Sequence, residues 1–254
     1  MIYDHDEWLL PYKDVIDRRH EMIMDLKERM SVDGSLAKGM NNHVYYGLHR
    51  DAKGNWVFRE WAPNATKIYI IGEFNNWKRT EAYALKPIGG GNWELTLPSM
   101  FLEHGVLYKL YVEWKGGGAE RIPAYVTRAV QDPMTKAFCA QVWDPFEKYE
   151  WKNPAPGKRT HPLIYECHIG MAAEEEKVGT FEEFRLNVLP KVADLGYDTL
   201  QIMALQEHPY YGSFGYQVAN FYALSSRFGT PEEFKALVDE AHGLGIAVVM
   251  DIVH

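Results

Sequence analysis

Along residues 11–30 the apolar positions Tyr12, Val15, Ile16, Met22, Ile23, Leu26 and Met30 recur at helical spacing. They predict an amphipathic helix, with Pro11 suited to its first turn. From about residue 40 to 143 the period shortens. Runs such as WVFREW, KIYIIG, WELTLP and VLYKLYVEW alternate with DAKG, PNA, IGGGN and KGGG. Several short strands punctuated in this way predict an antiparallel β-sandwich of about one hundred residues. The stretch 144–162 carries four prolines and many charges, which reads as a domain linker.

A third pattern follows. PLIYECHI, YDTLQIMAL and AVVMDIV read as buried strands, and two helices lie between them. The first helix opens with a capping box of Thr180 and Glu183, buries Phe181, Phe184, Val188, Leu189, Val192 and Leu195, and stops at Gly196, with Pro190 kinking or splitting it. In the second, Thr230 caps, Pro231 takes the first position, Glu233 completes the box, and Gly243 and Gly245 end it. GTFEEF near 179 and GTPEEF near 229 mark two copies of one helix-then-strand unit. Strands alternating with helices predict a parallel sheet. At on the order of 30 residues per unit, residues 161–254 hold about three strands. A closed eight-stranded barrel needs around 250 residues; an open doubly wound sheet needs fewer, yet wants both faces covered.

Composition adds one positive hint and several exclusions. Aromatic residues make up 14% of the chain; sugars offer flat C–H faces that stack on rings, although β-rich domains also gather aromatics for packing. With 27 Lys and Arg against 35 Asp and Glu, the net charge is −8, which argues against nucleic acid as a partner. The acidic N-terminus, MIYDHDEW, lacks the basic and apolar regions of a secretory signal. No apolar run reaches about 18 residues, so a cytoplasmic setting without a membrane partner is expected. Cys139 and Cys167 are too few for a disulfide framework and the His residues form no ligand pair, so neither a metal nor another cofactor is expected.

Three stretches together resemble one family: IYIIGEFNNWKRTEAYALKPIGGGNWELTLP (68–98), RIPAYVTRAVQD (121–132), and 163–254, which runs from LIYECHIG through HPYYGSFGYQ to MDIVH. The resemblance is to the eukaryotic-type 1,4-α-glucan branching enzymes, a subgroup of glycoside hydrolase family 13, and covers nearly the whole chain. It implies an N-terminal helical segment (1–34), a glycogen-binding β-sandwich (35–143), a linker (144–162), and the first three strands of an incomplete (β/α)8 barrel (163–254). It also implies a retaining double displacement. An Asp nucleophile takes the glucan as a covalent glycosyl-enzyme, and a Glu protonates the leaving oxygen and later deprotonates the acceptor 6-hydroxyl. The family keeps these carboxylates on strands four, five and seven. No catalytic residue is therefore assigned here, and the 254-residue polypeptide alone is expected to be inactive. Three barrel strands would leave an unpaired edge and bare apolar faces, so poor solubility is expected as well.

By the same resemblance, Asp251 supports the sugar at the cleavage point and Tyr216 stacks beneath it. Phe214 and Gln217 flank Tyr216, and His208, Tyr210 and Tyr211 share its loop, on the face where barrel sites are built. His254 is read as packing at the strand's end, because the family's substrate-contacting His falls beyond it. In the sandwich, Trp77 matches a surface-binding Trp, Asn75 and Asn76 shape its turn, and Lys109 and Trp114 are weaker matches. Alternation puts Tyr108, Leu110, Val112 and Trp114 on one strand face and Lys109, Tyr111 and Glu113 on the other. Lys109 and Trp114 therefore line one site only if a bulge or the strand's end intervenes, which assigns Trp114, like Trp93, to the core. The run Glu174–Glu176 reads as a solvated loop. The expected partner is an α-glucan; the rival readings are a noncatalytic glucan-binding module and another family 13 enzyme, a debranching enzyme or a trehalose-releasing hydrolase.

Overall fold

The structure, a computed structural model, describes all residues 1–254. The chain falls into two compact units, Met1–Tyr45 and Tyr46–His254. The first unit is helical. A 3-10 turn over Glu7–Tyr12 is capped by Asp6, which accepts from the Trp8 amide at 3.0 Å. The helix α1 (Lys13–Met30) follows, then the single turns α2 (Leu36–Gly39) and α3 (Asn42–Tyr45). Pro11 lies in the 3-10 turn, so the helix starts two residues later than the apolar spacing predicts. No residue of α1 is buried, and Met22 and Ile23 of its apolar stripe are more than 60% exposed.

The second unit begins with the sandwich. Its strands are β1 (Gly47–Arg50), β2 (Trp56–Trp61), β3 (Ala65–Gly72), β4 (Lys86–Gly89), β5 (Asn92–Leu97), β6 (Leu107–Trp114), β7 (Gly117–Arg121), β8 (Ala129–Gln131) and β9 (Phe138–Gln141). One antiparallel sheet runs β1-β2-β5-β4 and the other β3-β6-β9-β8, with β7 on the distal half of β6. Alternate residues point inward: Trp56, Phe58, Trp93 and Leu97 from one sheet meet Ile68, Ile70, Tyr108 and Leu110 from the other. The buried indoles keep their hydrogen bonds, Trp56 to the Leu102 carbonyl at 2.9 Å and Trp93 to the Ala62 carbonyl at 3.0 Å, as buried Trp requires. Trp93 is therefore core, as its strand position predicts.

The remainder is built on three parallel strands, β10 (Ile164–Cys167), β11 (Thr199–Ile202) and β14 (Ala247–Met250), in the order β10-β11-β14. Between β11 and β14 lies a hairpin of β12 (Gln206–Glu207) and β13 (Asn220–Leu224). Pro190 splits the first helical segment into α4 (Phe181–Asn187) and α5 (Leu189–Asp194), because a proline cannot donate to the preceding turn. The second helix is α6 (Pro231–Gly243). Both capping boxes form: the Glu183 and Glu233 amides bond the Thr180 and Thr230 hydroxyls at 3.2 Å, and each Glu carboxylate accepts from its Thr amide.

One face of the parallel sheet is covered. Cys167, Leu200 and Ile202 pack against Phe181, Phe184, Leu189, Val192, Leu237 and Ala241. The opposite face is open, with Ile164 46% and Val249 45% exposed, and Glu166, Gln201 and Val249 stand level across it. Leu195 departs from the predicted stripe: it follows the last helical residue of α5, where the chain turns away from the core, and is 72% exposed.

The stretch 144–162 is fastened to α6 and to the turn before β14. Asp239 of α6, itself buried, accepts from the Tyr149 hydroxyl at 2.7 Å and from the Lys152 and Asn153 amides at 3.0 and 2.8 Å. Farther on, Arg159 donates to the Gly245 carbonyl at 2.6 Å. The sandwich also meets the β12–β13 hairpin and the start of α6 directly. Ala223 of β13 packs into the sandwich core, Arg128 donates to the Gly229 carbonyl at 2.6 Å, and the Trp143 indole donates to Glu232 at 2.6 Å.

Candidate functional site

The C-terminal ends of parallel strands are where loops gather and where their free backbone groups can be directed at a ligand. Beyond β14 the Asp251 amide still donates to the Ile202 carbonyl at 3.0 Å, which extends the ladder by one step. The Val253 amide bonds the Gln206 side chain at 2.9 Å. Asp251 is thus held at the sheet's rim.

The loop after β12 brings Tyr216 to it. The Tyr216 hydroxyl donates to Asp251 Oδ2 at 2.7 Å across 35 residues of sequence, and the ring remains 46% exposed. That bond to a carboxylate pushes the Tyr216 phenol above its ordinary range, because ionising it would place two negative charges together. The loop's course is forced. Phe214 sits in the left-handed region at φ 53 and Gly215 at φ 91, and any Cβ on Gly215 would stand 2.7 Å from the Ala204 Cβ and closer still to its carbonyl oxygen. Only glycine fits there.

A buried ionic knot anchors the hairpin beneath the loop. Glu207, fully buried, accepts from the His208 amide at 3.0 Å, the Ser226 amide at 2.7 Å and the Ser225 hydroxyl at 3.2 Å, with Arg227 3.5 Å away. Arg227 also reaches the Pro209 carbonyl at 2.9 Å and Gln131 of β8 at 3.0 Å. Glu207 and Arg227 were not among the residues singled out from the sequence; a pair of opposite charges in a hairpin with no other Asp, Glu, Lys or Arg was the available signal.

The other loop residues separate into two groups. Gln217 and Tyr210 are exposed beside Tyr216, and Phe214 is 42% exposed. His208 is not exposed beside Tyr216: it is wholly buried, with Nδ1 2.9 Å from the Gln206 carbonyl, because the Glu207–Arg227 knot pulls its backbone inward. Tyr211 likewise turns its ring into the core around Phe228 and His168, and burial raises its phenol. His254 is exposed rather than packed, since the strand has already ended at Met250.

On the sandwich, Asn75 accepts from the Gly72 amide at 2.9 Å and donates to the Ile70 carbonyl at 3.0 Å. Asn76 and Trp77 then both take left-handed backbone, φ 53 and 58. This turn presents the Trp77 ring, 39% exposed, with Lys109 Nζ 5.9 Å from its centroid. Lys109 is also paired with Glu120 at 2.7 Å. Trp114 is at the far end of β6 and is 36% exposed, with Arg121 5.5 Å from its ring. Its assignment to the core fails, since as the strand's last residue it is left partly exposed, and it does not join Trp77 and Lys109.

Both cysteines are free, and burial pushes the Cys167 thiol up to about 12, so neither is poised as a nucleophile. No group of three His, Cys, Asp or Glu side chains is placed to hold a metal ion. No helix is long and apolar enough to cross a membrane. Glu174 and Glu175 are solvated.

Comparison with known proteins places these features. Residues 45–134 match the family model of carbohydrate-binding module 48 (isoamylase N-terminal domain), and residues 186–254 match that of the alpha amylase catalytic domain. Over all of the chain, 40% of residues are identical to a 1,4-alpha-glucan-branching enzyme of Dictyostelium discoideum, of which the chain spans 38%. A protein of the same name from Rhizophagus irregularis is 41% identical over 98% of the chain and 37% of its own length. Identity is again 41% to the chloroplastic/amyloplastic 1,4-alpha-glucan-branching enzyme 2-2 of Arabidopsis thaliana, over all of the chain and 32% of that protein. Among solved structures, a putative alpha amylase from Salmonella typhimurium superposes with a TM-score of 0.67 at 27% identity, covering 82% of this chain and 32% of that one. The catalytic module of the pneumococcal protein SpuA shares the fold, with a TM-score of 0.63 at 20% identity over 90% of this chain and 38% of its own.

Proposed function

We propose, since the whole chain is homologous to the 1,4-α-glucan-branching enzymes, that it supplies the glucan-gripping part of such an enzyme. The reaction cuts an α-1,4 link and passes the freed chain to the 6-hydroxyl of another glucose. In a retaining double displacement, the bond from the anomeric carbon to the leaving oxygen is exchanged first for an ester to an enzyme carboxylate and then for a bond to the acceptor oxygen. The leaving oxygen gains a proton and the acceptor loses one. No carboxylate of these 254 residues is assigned either covalent or proton-transfer work. Their share is to hold the sugar.

One observation carries this reading: the Tyr216 hydroxyl bonded to Asp251 at 2.7 Å on the rim of the parallel sheet. An exposed ring can stack on the apolar face of a glucose, while the carboxylate edge beside it accepts from sugar hydroxyls. Fixing both before substrate arrives lowers the ordering cost of binding. Phe214 and Gln217 flank Tyr216 in the same exposed loop. A cytoplasmic, glycogen-building setting belongs to the same reading, in keeping with two free cysteines. Calorimetric titration with maltoheptaose tests it: Tyr216→Ala should weaken binding at least about tenfold, and unchanged affinity would refute the assignment.

A second contact is favoured by the Trp77 turn, which strains two residues to expose one ring. In this reading the sandwich holds a distant part of the polysaccharide through Trp77 and Lys109. Glycogen co-sedimentation separates the two sites, because Trp77→Ala should reduce retention on glycogen without altering affinity for the short maltoheptaose. If retention is unchanged, the sandwich serves only as a brace.

A further inference from the structure

His168 lies at the end of β10. The Met203 amide bonds the Cys167 carbonyl and the Asp251 amide bonds the Ile202 carbonyl, so His168, Met203 and Asp251 form the top level of the three strands. Its side chain is not directed at solvent. It is 7% exposed and boxed edge-on by three aromatic rings, Phe228 at 5.5 Å, Phe214 at 5.7 Å and Tyr211 at 6.1 Å. Neither ring nitrogen has a hydrogen-bond partner. A neutral imidazole can be kept there at the cost of its unmade bonds. An imidazolium would bring two N–H donors and a charge into a box walled by aromatic rings, where the Phe214 backbone is the one group that favours the charged form.

We propose that His168, as a neutral ring, is a positioning residue that seats Phe214 and through it Tyr216, so that the sugar-facing loop is held at neutral pH and released when His168 takes up a proton. The inference rests on Tyr216 and Asp251 being the glucan-facing pair. The chain makes the link short: only Gly215 separates Phe214 from Tyr216, and Phe214 occupies left-handed backbone, φ 53. A non-glycine residue leaves that region when its packing is lost.

Among the groups around His168 only the Phe214 backbone favours protonation, and burial and His208 outweigh it. From the end of β12 it faces His208, whose Nδ1 is committed to a carbonyl and whose Nε2 is buried without a partner. From the loop it faces the Tyr211 phenol, and from the segment before α6 the apolar Phe228. Glu207 and Arg227, the nearest formal charges on the hairpin, are spent on each other and on backbone groups. Burial first, and then repulsion from His208, hold the His168 imidazole below its usual range. The open loop therefore binds a proton that the closed loop does not. Closure is fully favoured above the open-form pKa of about 6.5 and weakens by up to about tenfold for each pH unit below it.

Amide protection factors across Phe214–Gln217, with maltoheptaose affinity measured alongside, test this at about pH 7.5 and about pH 5.5. The proteins compared are the wild type, His168→Phe, His168→Leu and His208→Gln. We expect wild-type protection at the lower pH to fall by about tenfold relative to a core amide such as Leu200, with affinity falling in step. The fall should vanish in whichever His168 variant folds and persist in His208→Gln. A flat wild-type profile, or a step that survives in both His168 variants or disappears in His208→Gln, overturns the proposal. A protection step in a protein that binds maltoheptaose at neither pH upholds the His168 device and refutes the glucan reading instead.

Discussion

Replacing Gly215 by Ala puts the loop geometry under direct load. At φ 91 the backbone is one that an L side chain avoids, at a cost of about 1–2 kcal/mol. The new Cβ would also stand 2.7 Å from the Ala204 Cβ, 3.0 Å from its carbonyl carbon and nearer still to its oxygen. Two of these are backbone atoms of a residue itself in left-handed conformation, so no flexible side chain can yield, and overpacking of this kind adds about 1–3 kcal/mol. The total, about 2–5 kcal/mol, exceeds what a surface loop gains by staying closed, so the loop rearranges while the cores around Phe58 and Leu200 remain folded. Tyr216, next in sequence, then leaves Asp251. Isothermal titration should show maltoheptaose affinity reduced by about tenfold or more, equivalent to about 1.4 kcal/mol, with only a small fall in melting temperature. Wild-type affinity in Gly215→Ala would refute the claim that the fixed loop carries the binding.

Two other substitutions probe the frame that supports the site. Glu60 is 7% exposed, and burial raises its carboxyl despite the amide bonds it accepts from Ala124 and Trp61. Because the folded protein holds that proton more tightly than the unfolded chain, stability falls as pH rises from about 4.5 through the folded-state value. Glu60→Gln should therefore raise the melting temperature at pH 7 more than at pH 4; an equal shift at both would contradict the cause. Asp239→Asn removes the charge that gathers Tyr149, Lys152 and Asn153, and trypsin should then cut at Lys148, Lys152 or Lys158 severalfold faster. Unchanged cleavage would mean that the strap is held by other contacts.

What could be read from the sequence was mostly local. The Thr180 and Thr230 capping boxes, the split at Pro190 and the inward alternation of the sandwich strands each depend on residues within a few positions of one another, and each formed. What was missed depends on distant partners. Asp239 fastens a stretch nearly ninety residues away, an anchorage of 144–162 that its own sequence does not announce. His208 looks like a cleft residue until Glu207 and Arg227 close beneath it. Trp114 follows the core parity of its strand, yet as the last residue of that strand it is left partly exposed. The hydrogen bond of Tyr216 to Asp251 is in the same class: resemblance to a family named each residue singly, but no periodicity brings together residues 35 positions apart.

The central claim is that Tyr216 and Asp251 act on glucan as one unit. A double-mutant cycle of Tyr216→Phe, Asp251→Asn and the double variant, read by calorimetric titration with maltoheptaose, tests it most directly. The account predicts that the double variant loses less affinity than the two single losses added together, by at least about 0.5 kcal/mol. Strictly additive losses, or no loss in either single variant, would contradict it.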